Sequence, residues 1–125
     1  MKKKDSVLRD KSYKFAIRIV KLSQYLRQEK KEFDMSKQIL RSGTSIGALI
    51  REAEYAQSDA DFISKFSISL KEAHETAFWL SLLKNTDYME EKMYNNLLSD
   101  CEEVLSMFVS TGKTTKSKKL LTLNS

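Results

Sequence analysis

Apolar residues recur along this chain at the three- and four-residue spacing of a helical face. In a first segment, residues 10–31, Phe15, Ile19, Leu22 and Leu26 follow one another at intervals of four, three and four. A second, 34–57, carries Met35, Ile39, Gly43, Ile46, Ile50 and Ala53. A third, 59–85, carries Phe62, Phe66, Ser69, Leu70, Ala73, Ala77 and Leu80. The fourth, 87–112, has the clearest stripe, with Tyr94, Leu97, Leu98, Cys101, Val104, Leu105 and Phe108. Asp34 and Asp87 are expected N-caps, Ser58 with Asp61 resembles a capping box, and Gly112 is an expected stop. The links near 32–33, 57–59 and 85–87 are short, and short links join antiparallel neighbours. The pattern predicts an all-α, antiparallel up-down-up-down four-helix bundle over 1–112, with 113–125 as a basic, disordered tail.

Composition agrees. The chain of 125 residues has no Pro and three Gly, which permits long helices. No apolar run approaches the ~20 residues of a membrane span. The N-terminus is basic but lacks the apolar stretch of a signal peptide, and the single cysteine cannot form an internal disulfide. Those features place the expected location in the cytoplasm.

The net charge of +5 is unevenly spread. Residues 1–11 hold five basic and two acidic side chains, and 113–125 hold four lysines and no acid. These ends carry +3 and +4, so the body between them is −2. Within the body, 12–31 is +5 and 87–112 is −5. In an up-down bundle these two helices are neighbours, and their opposite charge favours that pairing.

Two segments hold more apolar surface than one stripe requires. Tyr13, Ala16, Ile17 and Val20 fall away from the Phe15–Leu26 stripe. Ile68, Phe78, Trp79, Leu82 and Leu83 crowd the third helix almost all round. Contiguous exposed patches of this kind usually mark interfaces. Tyr13, Ile17, Val20, Ile68, Phe78, Trp79 and Leu83 are therefore the expected contacts of a homo-oligomer, and two different faces on one subunit suit head-to-tail assembly.

Residues 38–83, QILRSGTSIGALIREAEYAQSDADFISKFSISLKEAHETAFWLSLL, strongly resemble the bacterial four-helix-bundle family named after the 23S rRNA intervening-sequence protein. That family shows a Q-L-x-R-S-x-x-S-I-x-x-N pattern, an acidic stretch ending in S-x-x-x-F, and a helix with L-x-E. The matching positions are Gln38, Arg41, Ser42, Ser45, Ile46, Glu52, Ser58, Phe62, Leu70 and Glu72. Leu49 stands where the pattern has Asn. The resemblance extends over 12–112 and implies an antiparallel bundle, often a ring-shaped homopentamer. Some genes of the family lie inside ribosomal RNA intervening sequences. A distant branch is the accessory protein of diversity-generating retroelements, which binds nucleic acid and a reverse transcriptase.

The remaining motifs argue against catalysis. Gly112-Lys113-Thr114 is similar to the end of a phosphate-binding loop, but Met107 stands where that loop needs its first Gly and no strand precedes it. His74 and Cys101 are the only residues of their kinds, whereas ordinary zinc sites take three or four such ligands and a nucleophilic triad needs its own histidine. No metal, cofactor or enzymatic activity is expected. Gly43-Thr44-Ser45-Ile46-Gly47 forms a strip of small residues suited to close helix packing. Arg41, Arg51, Glu52, Glu54, Glu72 and Glu75 are expected in ion pairs between helices or subunits. Lys14, Arg18 and Lys21 line one strip of the first helix. With Lys113, Lys116, Lys118 and Lys119 they are the candidate nucleic-acid contacts. The expected function is a non-catalytic oligomeric module that binds RNA or an RNA-processing partner; the alternative is a protein-interaction scaffold with no nucleic-acid role.

Overall fold

A computed structural model describes the backbone of residues 3–124 and the side chains of residues 7–110. It contains four helices: α1 (Lys3–Glu29), α2 (Asp34–Glu54), α3 (Asp59–Asn85) and α4 (Glu91–Asn124). Each packs on its neighbour in the chain, α4 closes against α1, and no pairing crosses either diagonal among the described residues. Cross-helix contacts run in opposite sequence senses. On the α1–α2 seam Ser23 lies at Ser36, Ile19 at Gly43 and Ser12 at Gly47. On the α2–α3 seam Ser42 meets Thr76, and Ile46 meets Ser69. On the α3–α4 seam Ala73 meets Cys101, and Phe66 packs on Phe108 with ring centroids 4.8 Å apart. Arg18 pairs with Asp100, and Lys11 with Glu103, across the α4–α1 seam. The helices therefore alternate in direction, as the short links require. None of the helices, over the described residues, is long and apolar enough to cross a membrane.

The predicted stripes form the core. Phe15, Ile19, Leu22 and Leu26 of α1 are buried against Ile39, Ile46 and Ile50 of α2, Phe66, Ala73 and Leu80 of α3, and Leu97, Cys101, Val104 and Phe108 of α4. Leu8 and Met89 are also buried. The first escaped the sequence pattern because α1 begins seven residues earlier than the expected residue 10. The second sits in the link before α4, where helical periodicity gives no signal.

The helix ends depart from expectation for identifiable reasons. Asp34 is the first residue of α2 and Phe33 its N-cap, because the Glu32 carboxylate does the capping, accepting the Ser36 N–H at 2.8 Å. Ser58 does cap α3, accepting the Asp61 N–H at 3.1 Å. The Asp61 carboxylate reaches back one residue further than a capping box, to the Gln57 N–H at 3.3 Å. Asp87 does not start α4; it ends α3. With φ at 66° it turns the chain left-handed, so that Tyr88 N–H returns to the Leu83 carbonyl and Asp87 N–H to that of Lys84. This is the Schellman arrangement, and a short polar side chain tolerates the position better than most. Gly112 does not stop α4, which runs on to Asn124. The side chains of the expected tail, 113–125, lie outside the described residues.

Candidate interaction surface

Four of the motif residues, Arg41, Ser42, Ile46 and Glu72, meet the facing helix across the α2–α3 seam. Arg41 reaches from α2 to two carboxylates of α3, bonding Glu72 at 2.9 Å and Glu75. Behind this pair the seam is polar and buried: Thr76 Oγ1 lies 2.9 Å from Ser42 Oγ and 2.8 Å from the Glu72 carbonyl. One turn away Ser69 donates to the Ile46 carbonyl at 2.8 Å. Small hydroxyl residues let the backbones approach, and each hydroxyl finds a backbone or hydroxyl partner, so burial leaves none of these three unpaired. Ser45 donates to the Arg41 carbonyl at 2.6 Å. Gln38 and Glu52 are exposed, Ser58 is spent on capping, and Leu49 is half-buried.

The glycine strip is used inside the bundle. At Gly43 a β carbon would stand 2.7 Å from Ile19 Cγ2, and at Gly47 it would sit 3.5 Å from the Ser12 carbonyl oxygen. The strip is a notch for α1.

His74 is exposed on α3. Cys101 is fully buried, its thiol 3.4 Å from the Ala73 carbonyl. Burial pushes its pKa up to about 12, helped by the nearby Glu102 and Asp100 carboxylates. A thiol held neutral is a poor nucleophile and a poor metal ligand. Among the described residues no three His, Cys, Asp or Glu side chains converge on a metal-sized site.

The expected interface residues divide. On α1, Tyr13 is 55 % exposed, and Ile17 and Val20 are exposed beside it. Arg51 of α2 lies over the Tyr13 ring, 5.5 Å from its centroid, a contact that the heptad-like pattern could not reveal because it joins two helices. On α3, Phe78 is 57 % exposed and Ile68 is exposed as well. Leu83 does not belong to this surface. It is fully buried, because its position on the wheel is within one helical step of Leu80 and Thr76. Trp79 is also not a free surface residue: it is half-buried against the core, with Phe78 edge-on at 5.0 Å. The Trp79 indole N–H is shielded from solvent and bonds to nothing among the described residues. A continuous apolar run does not say which of its members face outward.

Of the expected α1 cations, Arg18 is engaged by Asp100, while Lys14 and Lys21 remain exposed. Lys11, Lys14 and Arg18 line an open groove on the α1–α4 seam with Asp100 and Glu103; Lys11 and Arg18 are paired there with Glu103 and Asp100. The candidates Lys113, Lys116, Lys118 and Lys119 lie outside the described side chains.

The class defined by these features is an antiparallel four-helix bundle with a hydroxyl-lined seam, a glycine notch and apolar flanks. The chain matches the 23S rRNA-intervening sequence protein family over residues 4–110, and it belongs to that family. It is also similar to a crystal structure from Bacteroides thetaiotaomicron, described as a protein of unknown function from the S23 ribosomal protein family. The two share 56 % sequence identity and a TM-score of 0.87, over 88 % of this chain and 98 % of that one. No curated protein matches the chain.

Proposed function

We propose that this protein is a non-catalytic module that works by self-association. The observation that carries the reading is the pair of exposed apolar strips, Tyr13, Ile17 and Val20 on α1 and Ile68 and Phe78 on α3. A solvated bundle has no use for large apolar side chains grouped on its flanks, and such grouping is typical of interfaces. The family resemblance favours an assembly of five subunits. Light scattering on a sizing column tests the reading at micromolar concentration. A mass several times 14.5 kDa is expected, and a mass of one chain defeats it.

RNA, or a partner that processes it, is the ligand class of a second reading. It is favoured by exposed Lys14 and Lys21 and by the net +3 and +4 of residues 1–11 and 113–125. In a closed assembly such charges repeat and their potentials add. Affinity for RNA is then expected to fall steeply with salt and to weaken when residues 113–125 are deleted. Absence of binding at low salt leaves the protein-interaction scaffold.

A further inference from the structure

Resting on the RNA reading, we infer that the groove between α1 and α4 is the track for the phosphate backbone, and that Asp100 and Glu103 compete with RNA for it by holding two of its cations in the free protein. The first ground is arrangement. Lys11, Lys14, Arg18 and Lys21 follow one another at intervals of three, four and three, so they share the side of α1 that turns toward α4. They span about 15 Å of helix at about 1.5 Å per residue. Three of them line an open groove of about 240 Å³, floored by buried Phe15 and Val104. A shallow trough with cations along one wall suits an extended strand rather than an enclosed ligand.

The second ground is an imbalance of charge. Against these four cations α4 brings two carboxylates, Asp100 and Glu103, which pair with Arg18 and Lys11. Glu102 lies on the opposite side of the α4 wheel from Asp100. Lys14 and Lys21 have no carboxylate partner among the described residues, and Asp10, one turn before Lys14, is paired with Arg9. A carboxylate offers a guanidinium or an ammonium the same charged oxygens as a phosphate. Each ion pair is therefore a phosphate contact already made within the chain. The four paired side chains are 38–51 % exposed, and ion pairs so well solvated are weak and screened by salt. Incoming phosphates displace the carboxylates, which stay beside the track and repel the strand. The two acids thus hold affinity below what the four cations alone would give.

The test measures binding of the full-length protein to a labelled poly-U strand by fluorescence anisotropy over a range of salt. Asp100→Asn with Glu103→Gln keeps the shape of both side chains and removes the competition. This variant is expected to bind more tightly than wild type, most of all at low salt. Its plot of log affinity against log salt is expected to steepen by up to about 1.4, from two freed cations at about 0.7 each for a single strand. Asp34→Asn with Glu52→Gln makes the same change of charge at exposed positions of α2, diagonal to α4, and is expected to stay near wild type. Lys14→Gln with Lys21→Gln is expected to weaken binding and to flatten the plot by a similar amount. Circular dichroism checks the fold; should the double Asp100, Glu103 variant lose helix, the two single variants carry the same expectation at half the size. An unchanged slope on removing Asp100 and Glu103, an equal gain from the α2 pair, or wild-type affinity without Lys14 and Lys21 overturns the inference. A wild type that leaves poly-U unbound at low salt sinks the RNA reading itself and is seen before any variant is made.

Discussion

Ile19 occupies the space that a side chain at position 43 would need: its Cγ2 lies 2.7 Å and its Cγ1 2.8 Å from where a β carbon of Gly43 would be. A glycine inside a helix gives up about 1 kcal/mol relative to alanine. Here that loss lets α1 and α2 close on each other. Gly47 is one turn along the same strip, yet its missing β carbon would meet the Ser12 backbone only at ordinary contact distance. Gly43→Ala is therefore expected to destabilise the bundle by about 1–2 kcal/mol, since overpacking outweighs the helix-propensity gain. Gly47→Ala is expected to be neutral or to stabilise by about 0.5–1 kcal/mol. Urea unfolding of the two variants measures the contrast; equal effects contradict the geometry.

The hydroxyl chain of the α2–α3 seam should matter more than the ion pairs in front of it. Thr76→Val removes one of the two partners of buried Ser42, whose hydroxyl also donates to the Ile39 carbonyl, and is expected to cost about 0.5–1.5 kcal/mol. Arg41→Ala breaks two visible ion pairs, but the guanidinium is about half exposed, so the loss is expected to stay near 0.2–1 kcal/mol and to shrink in high salt. Chemical denaturation at low and high salt separates the two cases.

Cys101 gives the protein a signature at high pH. Its folded-state pKa, about 12, lies above the ordinary value of 9.0. Between those values the unfolded chain loses a proton that the folded chain retains, so this contribution is present below pH 9 and is lost as pH rises toward 12. The stability difference between the wild type and Cys101→Ala is expected to shift in that direction across this window. Below it, a thiol reagent is expected to react only as fast as the bundle opens. Immediate stoichiometric labelling in native buffer would contradict the burial.

Neighbouring apolar residues of α3 should respond in different ways. Leu83→Ala is expected to cost about 2–5 kcal/mol as a core truncation. Phe78→Ala should leave stability within about 0.5 kcal/mol while reducing the mass seen by light scattering. Trp79→Ala, half in the core, should lower both. If Phe78→Ala melts like Leu83→Ala, the exposed strip has been misplaced.

These residues also show how far a sequence pattern carries. Periodic stretches were the most legible: of the apolar stripe of α4, Leu97, Cys101, Val104 and Phe108 are buried and Tyr94 and Leu105 pack on the core. The run Phe78-Trp79-Leu80-Ser81-Leu82-Leu83 was not, because continuous apolarity does not say which direction is inward. Only packing against Ser42, Cys101 and their neighbours decides that. Caps failed where a more distant carboxylate, Glu32, took the role of a nearer one, and where Asp87 served the preceding helix instead of the next. The Arg41 clamp was legible as a set of charges but not as an intramolecular contact, since nothing in one helix reports the register of another.

The seam between α4 and α1 has a kinetic consequence. The other three seams join helices adjacent in the chain, so their loops are short and inexpensive to close. Joining first helix to last encloses most of the polypeptide, and the entropy of closure rises with loop length. Among the described residues it is also the thinnest seam, with Lys11–Glu103 and Arg18–Asp100 along it. Assembly is then expected to proceed outward from the central α2–α3 hairpin, fast because its contacts are local, with the terminal helices meeting last. Amide protons along the outer helices should accordingly exchange before those flanking Ser42 and Thr76.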